Sequence, residues 1–251
     1  MPNFLSFTQI NMLMRCPRQY DFRYNLKMII PPKAAQTLGT TVHQTEAYGY
    51  KKRLQDGRGY KTSELTEIFA EYWDQNLVSY EPIFEEDETP GKLKDQGVSL
   101  VKHYGTKVGR YIYPKMVEQK FTIPAQDERP DVVGYIDLAT VKEDLIDIKV
   151  SSKTPNQNNV DQDMQLTAYD LGYDELVGNF PRSLKLHVIL RTKEPRVAII
   201  ETKRTGSDHK IFMETVSEMS KFVSSGVFPR NTNGWWCSEK WCGYYGRCMK
   251  K

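Results

Sequence analysis

The hydrophobic pattern of the chain changes near Met116, and this change limits the folds that the chain can adopt. Before it, three long segments carry apolar residues at helical spacing, separated by a glycine-rich turn and an acidic loop. These segments are residues 39–54, 63–80 and 92–113. After it come short β-prone runs at 116–123, 132–141, 144–150, 184–190 and 196–202. Helical patterns return near 160–173 and 207–225.

This order of elements predicts an α/β fold. We expect a central mixed β-sheet in the second half of the chain, flanked by helices. A helical N-terminal region precedes it, and a C-terminal tail carries cysteines. A chain of 251 residues with 39% hydrophobic content can bury one substantial core, as a single large domain or as a domain with insertions.

Composition and the N-terminal sequence argue against some classes of protein. The chain contains no run of eighteen apolar residues, and its start lacks the charged segment, apolar core and cleavage site of a signal peptide. We therefore expect a soluble, cytoplasmic protein without a membrane partner. The net charge of +3 permits nucleic acid binding through a local basic patch but does not require it.

The four cysteines are unevenly distributed along the chain. Three lie close together near the C-terminus and one lies near the N-terminus. They are Cys16, Cys237, Cys242 and Cys248. In a reducing compartment, an even number of cysteines at short spacings indicates metal binding more than disulfide bridging. The capping-box pair Ser6 and Gln9, followed by Pro17, places Cys16 at a helix junction.

An acid and a base share one face of a predicted strand in the segment DLIDIKV, residues 144–150. Asp147 and Lys149 alternate with apolar residues, whose face can enter the core. Asp137 lies on the preceding strand, in GYIDLAT, which would form a hairpin with the first. Two carboxylates and an ammonium can hold a hard divalent cation beside an attacking water or a phosphate oxygen. A surface hairpin with salt bridges explains the same triplet.

The number of residues in the hairpin loop decides whether the two aspartates lie on the same face of the sheet. Asp137 and Asp147 are ten residues apart, so they share a face of a regular antiparallel hairpin only if the loop has an odd number of residues. A three-residue turn over residues 141–143 pairs them directly, whereas a two-residue turn sets Asp137 opposite Ile148. The hypothesis therefore predicts an odd loop or a β-bulge.

Two helical segments carry polar side chains whose role the residues alone leave open. His43 lies in GTTVHQTE on a predicted helix, where, taken alone, a surface or core position explains it better than a ligand role. Gln165 and Tyr169, in MQLTAYD, are four residues apart and therefore share a helical face. Each feature is unspecific by itself.

Taken in order, Cys16, GTTVH, GYID, DIK, QLTAY and the three C-terminal cysteines resemble one family of enzymes. The chain is similar to a RecB-type nuclease of the PD-(D/E)XK superfamily, in the branch that carries an iron–sulfur cluster. That branch includes the nuclease domains of AddB-type recombination enzymes, CRISPR adaptation nucleases and phage exonucleases. The resemblance extends from residue 4 to residue 248 and implies a restriction-endonuclease-like core.

The resemblance implies one nuclease domain over residues 1–251. Within it, residues 116–205 would form the catalytic sheet core. Residues 50–115 would form a helical insertion that arches over the site and restricts it to a single strand. Residues 1–30 and 226–251 would together form the cluster-binding region.

The resemblance also assigns roles to the polar residues. It implies catalytic roles for Asp137, Asp147, Lys149, Gln165 and Tyr169. It implies a Mg²⁺ or Mn²⁺ site with ligands from His43, Asp137, Asp147 and the carbonyl of Ile148. Lys149 would orient or activate water, while Gln165 and Tyr169 would hold the lysine and the nucleic acid backbone. Glu118 lies on a strand where related nucleases often carry an acid, and an exposed strand position explains it equally well.

By the same resemblance, the cysteines bind a 4Fe-4S cluster. Cys16 would close the site made by the three C-terminal cysteines and so tie the two chain ends together. The family often has C-x2-C followed by five residues and a third cysteine, whereas this chain has C-x4-C-x5-C. Four thiolates also suit tetrahedral Zn²⁺, so both metals stay open at this point.

The function implied is a metal-dependent DNA exonuclease that hydrolyses phosphodiester bonds of single strands or duplex ends. Its setting would be replication, recombination or repair in a prokaryote or its virus, with a helicase or recombinase as a partner. The alternatives are a CRISPR adaptation nuclease that trims DNA before integration, and a non-catalytic iron–sulfur module that binds nucleic acid. The joint presence of Asp137, Asp147 and Lys149 favours an enzyme over the binding module.

Two segments are candidates for DNA contact. In YKKRLQDGRGYK, residues 50–61, cations surround Tyr60 with a single intervening acid, and a solvated helix end explains the same composition. The cations are Lys51, Lys52, Arg53, Arg58 and Lys61. The aromatic residues of the tail, between Trp235 and Tyr245, can stack on bases of single-stranded DNA. The favoured interpretation of these aromatics is that they shield the sulfurs and pack the tail.

Overall fold

The structure is a computed structural model and describes residues 4–57, 60–126 and 129–249. Its strands are β1 (Phe4–Leu5), β2 (Pro114–Ile123), β3 (Asp131–Thr140), β4 (Asp144–Ser151), β5 (Ser183–Leu190) and β6 (Arg196–Thr202). Its helices are α1 (Phe7–Arg15), α2 (Pro17–Tyr20), α3 (Ala34–Asp56), α4 (Thr62–Tyr80), α5 (Pro90–Lys107), α6 (Gln157–Asp161), α7 (Met164–Val177), α8 (Gly206–Ser224) and α9 (Tyr245–Met249). A π-helical turn spans Asp21–Asn25 and a 3₁₀ turn spans Gly109–Tyr111. Among the described helices, none has the length and apolar content needed to cross a membrane.

The described residues divide into two compact units. The smaller unit is formed by the described parts of Met1–Ile30, Thr122–Gly134 and Gly206–Lys251. In it, β1 pairs in parallel with the beginning of β3, and α1 contacts α8. The rings of Tyr20 and Phe228 stack with centroids 5.9 Å apart and 20° between their planes. These contacts join the N-terminal and C-terminal segments of the chain.

The first helix begins and ends as its sequence predicts. The Ser6 side chain accepts a hydrogen bond from the Gln9 amide at 3.3 Å, and the Ser6 amide donates to the Gln9 side chain at 2.7 Å. These two bonds confirm the capping box. Pro17 occupies the first position of α2, where its missing N–H costs nothing, and Cys16 lies between the two helices.

The larger unit is formed by Pro31–Phe121 and Tyr135–Thr205, apart from the undescribed residues 58 and 59. The end of β3 pairs antiparallel with β4, β4 pairs parallel with β5, and β5 pairs antiparallel with β6. α3, α5 and α7 contact these strands, which confirms the predicted α/β fold with a mixed sheet and flanking helices. Its core includes Leu38 and Val42 of α3, Phe69 and Trp73 of α4, Leu100 of α5, and Ile146 and Ile148 of β4.

One helical pattern extends beyond the helix that forms. The pattern over residues 92–113 predicts a single helix, but the chain leaves α5 at Val108 and a 3₁₀ turn follows. Gly109 passes close to two buried tyrosines. A Cβ at this position would lie 2.8 Å from the Tyr60 hydroxyl and 3.2 Å from the Tyr50 hydroxyl, so the close approach favours glycine.

Candidate active site

The β3–β4 hairpin places two aspartates opposite each other. β3 pairs with β4 at Leu138↔Ile146, and this register continued by one residue sets Asp137 opposite Asp147. The connection between the strands, residues 141–143, has three residues and confirms the predicted odd loop. Both carboxylates therefore lie on the same face of the hairpin.

α3 brings His43 to this point of the sheet. His43 Nε2 lies 2.9 Å from Asp137 Oδ2 and 3.4 Å from Glu118 Oε1. One ligand atom from each of these three residues lies within 4.8 Å of the others. The group joins two of the predicted metal ligands, His43 and Asp137, and adds Glu118, whose role the sequence left open.

Glu118 reaches this group through an unusual backbone conformation. Its φ is 51° within β2, in the left-handed region that residues other than glycine avoid. A residue in this conformation interrupts the alternation of a strand and re-aims its side chain. Strained backbone of this kind occurs preferentially at functional sites. The side chain is half-buried, and burial raises the pKa of its carboxyl above the ordinary value.

β4 carries the predicted acid and base side by side. Asp147 is buried, with 1% of its surface exposed, and Lys149 Nζ lies 3.2 Å from Asp147 Oδ2. The amide of Ile148 donates to Asp137 Oδ2 at 3.4 Å. This contact uses the amide of Ile148, so its carbonyl as a metal ligand stays a prediction.

α7 supplies a chain of hydrogen bonds that joins Lys149 to Asp137. Lys149 Nζ donates to Gln165 Oε1 at 3.0 Å. Gln165 Nε2 donates to the Tyr169 hydroxyl at 2.8 Å, and that hydroxyl donates to Asp137 Oδ1 at 2.9 Å. Because Gln165 and Tyr169 are four residues apart, both reach the site from one face of α7. These hydrogen bonds hold the Lys149 ammonium and the Asp137 carboxylate at a fixed separation.

Asp163 belongs to the same group, although the sequence analysis did not single it out. The pattern over 160–173 predicts one helical stretch, but the structure has α6 and α7 there, and Asp163 caps the second. Its side chain accepts a hydrogen bond from the Gln165 amide at 2.8 Å and lies 3.5 Å from Lys149 Nζ. The preference of aspartate for helix starts could have located this boundary. The ion pair depends instead on how α7 packs against β4.

The clustered charges shift the proton affinities of the site residues. The pKa of Asp147 is raised to about 7, first by burial and then by the neighbouring Asp137 carboxylate. Burial alone would lower the pKa of His43, but the hydrogen bond and charge of Asp137 raise it to about 9. Burial also opposes the charge of Lys149, whereas Asp147 and Asp163 hold its pKa above the ordinary value. The site therefore concentrates negative charge and favours cations.

The donor set fits a divalent cation. An imidazole nitrogen with carboxylate oxygens is a ligand combination that Mg²⁺ and Mn²⁺ accept. His43, Glu118 and Asp137 would hold the ion, since their ligand atoms already lie within 4.8 Å of one another. Asp147, opposite Asp137 in the hairpin register, would contribute the next carboxylate.

The four predicted cluster ligands lie together in the smaller unit. They are free thiols that line one cavity, namely Cys16, Cys237, Cys242 and Cys248. Gln19 Nε2 donates to Cys242 Sγ at 3.1 Å. Burial and the three neighbouring cysteines raise the pKa of the Cys237 thiol, as expected where sulfurs share one site.

Four free thiols that line one cavity form the donor set of a metal centre. Both a 4Fe-4S cluster and tetrahedral Zn²⁺ take four cysteine sulfurs.

The residues of the predicted basic segment, 50–61, lie in different environments. Tyr60 is buried and its hydroxyl forms an internal hydrogen bond, so it is not placed to stack on DNA. Arg53 stacks on the Tyr113 ring at 3.9 Å, and Lys52 forms a salt bridge. Arg58 lies outside the described residues.

The aromatic residues of the tail also divide into two kinds. Tyr244 is buried beside Phe22, with ring centroids 5.4 Å apart, as expected of residues that cover the cysteines. Trp235 and Trp241 instead expose 71% and 51% of their surface. Their rings pack edge to face with centroids 5.3 Å apart, as expected of residues that pack the tail.

Comparison with known proteins bears on the family and the fold. The family model described as the PD-(D/E)XK nuclease superfamily matches residues 4–249. A crystal structure of a "putative exonuclease" from Eubacterium rectale is similar over 99% of this chain and 90% of its own, with a TM-score of 0.61 and 13% sequence identity. The crystal structure of SSO0001 has a TM-score of 0.47 and 15% identity over 100% of this chain and 88% of its own. No curated protein gave a significant match.

These matches have different weight. At 13% identity, the Eubacterium rectale structure supports the fold and nothing beyond it. The family model covers nearly the whole chain, including the hairpin, α3 and α7 that assemble the site. The chain therefore belongs to the PD-(D/E)XK nuclease superfamily.

Proposed function

We propose that the protein is a metal-dependent DNA exonuclease that hydrolyses phosphodiester bonds of single-stranded DNA or duplex ends. The observation that carries the proposal is the group of His43, Glu118 and Asp137, whose ligand atoms lie within 4.8 Å of one another. The ion pair of Asp147 and Lys149 lies on the strand beside Asp137. Membership of a nuclease superfamily supports the reaction class.

The metal in this proposal is Mg²⁺ or Mn²⁺. Its ligands would be His43, Glu118, Asp137, Asp147 and the carbonyl of Ile148. A divalent cation held here would lower the pKa of the attacking water and offset negative charge on the phosphoryl oxygens. Because the imidazole of His43 is a softer ligand than oxygen, Mn²⁺ should serve at least as well as Mg²⁺.

Lys149 stabilises the negative charge that develops on the phosphate during attack by water. Its ammonium lies 3.2 Å from Asp147 and 3.0 Å from Gln165, so the donor is positioned before the reaction begins. The nearby carboxylates keep its pKa above the ordinary value, which favours Lys149 as a charged donor over Lys149 as a base. Gln165 and Tyr169 hold this donor in place relative to Asp137.

The proposal includes a 4Fe-4S cluster in the smaller unit. Its ligands would be Cys16, Cys237, Cys242 and Cys248, within a cluster-binding region formed by residues 1–30 and 226–251. The cavity that the four free thiols share supports a metal centre here, and the resemblance to the iron–sulfur branch of the family favours the cluster over Zn²⁺. In this role the cluster restrains the two chain ends and takes no part in hydrolysis.

The biological setting in this proposal is replication, recombination or repair of DNA in a prokaryote or its virus. The sequence has no G-x-x-x-x-G-K-[ST] motif for ATP-driven unwinding. The proposal assigns no unwinding activity to these residues and includes a helicase or a recombinase as a partner.

The direct test is incubation of end-labelled single-stranded and blunt duplex DNA with Mg²⁺, Mn²⁺ or EDTA. We expect short products from linear DNA with either metal and none with EDTA. Closed single-stranded circles should stay intact, because an exonuclease needs an end. Cleavage of circles as fast as linear strands would replace the exonuclease assignment with an endonuclease.

Two variants test the assigned site. Asp147→Ala and Lys149→Ala should each lower kcat about 100-fold or more, because each removes stabilisation of the transition state. DNA binding in EDTA should change little. Lys142→Ala, on the exposed turn of the same hairpin, is the matched control and should keep wild-type activity. Retention of most of the activity in both site variants would exclude this site.

A further inference from the structure

A groove lies beside the candidate metal site, lined by residues of α3 and α4. His43 and Glu118, two of the candidate metal ligands, line it. Its volume is about 680 Å³, within the range typical of pockets that hold small molecules. The groove therefore has room for a short run of unpaired nucleotides next to the metal ligands.

α3 directs three side chains towards this groove at regular intervals. His43, Ala47 and Lys51 all line the groove and are successive positions four residues apart. Each step of four residues advances about 6 Å along a helix, so Lys51 lies about 12 Å further along α3 than His43. The small side chain of Ala47 leaves space between them. This spacing suits a phosphate backbone that passes the metal ligands and continues along α3.

Two tyrosines meet at the groove. Tyr48 of α3 and Tyr72 of α4 both line it, with ring centroids 6.4 Å apart and 89° between their planes. Both side chains are partly exposed. The Tyr48 hydroxyl donates to Glu64 at 3.1 Å, which fixes the first ring. Partly exposed aromatic rings in a polar groove are the surfaces on which unpaired bases stack.

Lys51 supplies positive charge close to the metal ligands. Its side chain is exposed, and its charge acts on Glu118. Lys52 is held by Glu64, whereas Lys51 forms no salt bridge within the described residues. Asp56 also lines the groove at the end of α3, so the cationic part of the groove is the part nearer the metal ligands.

From this geometry we infer that the groove binds the substrate as unpaired DNA, with a base stacked on Tyr72 and a phosphate paired with Lys51. The inference rests on the proposed nuclease function and adds residues that determine strand specificity. Bases inside a duplex stack on both neighbours and are paired, so they cannot lie against Tyr72. The groove therefore selects single-stranded over double-stranded DNA.

Binding measured in EDTA tests this inference without cleavage. Fluorescence anisotropy compares three labelled ligands of equal length: a single strand, the same strand with abasic sites, and a blunt duplex. Tyr72→Ala should weaken binding of the normal strand about fivefold or more, the effect of losing one stacked base. It should leave binding of the abasic strand unchanged. Tyr72→Phe keeps the ring and should bind like the wild type.

Lys51→Ala tests the phosphate contact separately. It should weaken binding of the normal and abasic strands by the same factor, because both carry the phosphates. It should also reduce the slope of log affinity against log salt by about 0.7, the value for one phosphate contact on a single strand. The matched controls are Tyr80→Ala, at the exposed end of α4, and Lys102→Ala, on the exposed surface of α5.

Three results would overturn the inference. They are equal weakening of the normal and abasic strands by Tyr72→Ala, the same effect from Tyr80→Ala, and equal binding of the duplex and the single strand. If the protein binds as expected but cleaves no DNA with Mg²⁺ or Mn²⁺, the proposed nuclease function is wrong and the inference about the groove stands. If the protein is a nuclease but its Tyr72→Ala variant binds normally, only the inference about the groove is wrong.

Discussion

Asp163 caps the start of α7 and also contributes negative charge to the candidate active site. Its carboxylate accepts from the Gln165 amide at 2.8 Å and lies 3.5 Å from Lys149 Nζ. Asparagine caps a helix about as well as aspartate but carries no charge. We expect Asp163→Asn to keep wild-type stability and to lower kcat several-fold without raising KM, because Lys149 loses part of the charge that positions it.

Asp163→Ala separates the two roles of this residue. It removes the cap as well as the charge, so it should also lower the free energy of unfolding by about 1 kcal/mol. Steady-state kinetics and urea unfolding of both variants measure the two effects. A raised KM with unchanged kcat in Asp163→Asn would assign the residue to substrate binding instead.

Glu118 combines a candidate ligand with strained backbone. Its φ of 51° costs a residue with a side chain about 1–2 kcal/mol, whereas glycine adopts it readily. We expect Glu118→Gly to be at least as stable as the wild type in urea unfolding while metal-dependent cleavage falls about tenfold or more. Glu118→Gln keeps the strain and should lose cleavage without any gain in stability. Lower stability in Glu118→Gly than in Glu118→Gln would show that the backbone there is unstrained.

At the scale of elements, α5 meets β5 through a buried polar pair. The Tyr104 hydroxyl lies 2.9 Å from His187 Nδ1, and both side chains are buried. Burial lowers the pKa of His187 from 6.5 to about 4, with a further contribution from Lys185. The folded protein therefore binds this proton at lower pH than the unfolded chain. The neutral His187 therefore makes its full contribution to the free energy of unfolding above about pH 6.5. This contribution is lost as the pH falls towards 4, because the unfolded chain gains a proton there that the folded protein does not.

Urea unfolding of the wild type and His187→Gln between pH 7.5 and 4.5 measures this effect. The stability advantage of the wild type should shrink by about 2 kcal/mol over this range, since only the unfolded wild type binds a proton at this position, and folding has to release it. His103→Gln, a partly exposed neighbour on α5, is the matched control and should follow the wild type. A difference that stays constant with pH would mean that His187 titrates normally.

The elements differ in how far their sequence determines the site. The meeting of Asp137 and Asp147 was predictable, because the period of two and the parity of a short loop are local properties. Glu118 was not assignable, since a left-handed backbone at a residue other than glycine leaves no signal in the sequence. The contact of His43 with Asp137 depends on how α3 packs against β4, which periodicity does not specify.

At the scale of the whole chain, the cysteines connect segments that are distant in sequence. Cys16 and Cys248 are more than two hundred residues apart, yet both lie in the smaller unit and line one cavity. The stacking of Tyr20 on Phe228 joins the same two segments without the cysteines. By analogy with disulfides, a cluster that closes a loop of this length restrains the unfolded chain by on the order of 5 kcal/mol.

Cys16→Ala tests this restraint. Purified wild type should be brown with about four irons per chain, the content of one cluster. The variant should lose its iron and unfold at a temperature lower by about 10 °C or more, because 5 kcal/mol is comparable to the stability of many domains. Iron analysis and thermal unfolding measure both effects. Met14→Ala, an exposed position on α1, is the matched control and should change neither.

Cys16→Ala also tests whether the cluster takes part in hydrolysis. His43, Asp137 and Lys149 lie in the larger unit, so any folded Cys16→Ala protein should keep metal-dependent cleavage. A colourless wild type that contains zinc would contradict the iron–sulfur assignment. Unchanged iron content and stability in Cys16→Ala would contradict the restraint itself. Loss of cleavage by protein that is still folded would instead link the cluster to catalysis, because this proposal gives Cys16 no part in hydrolysis.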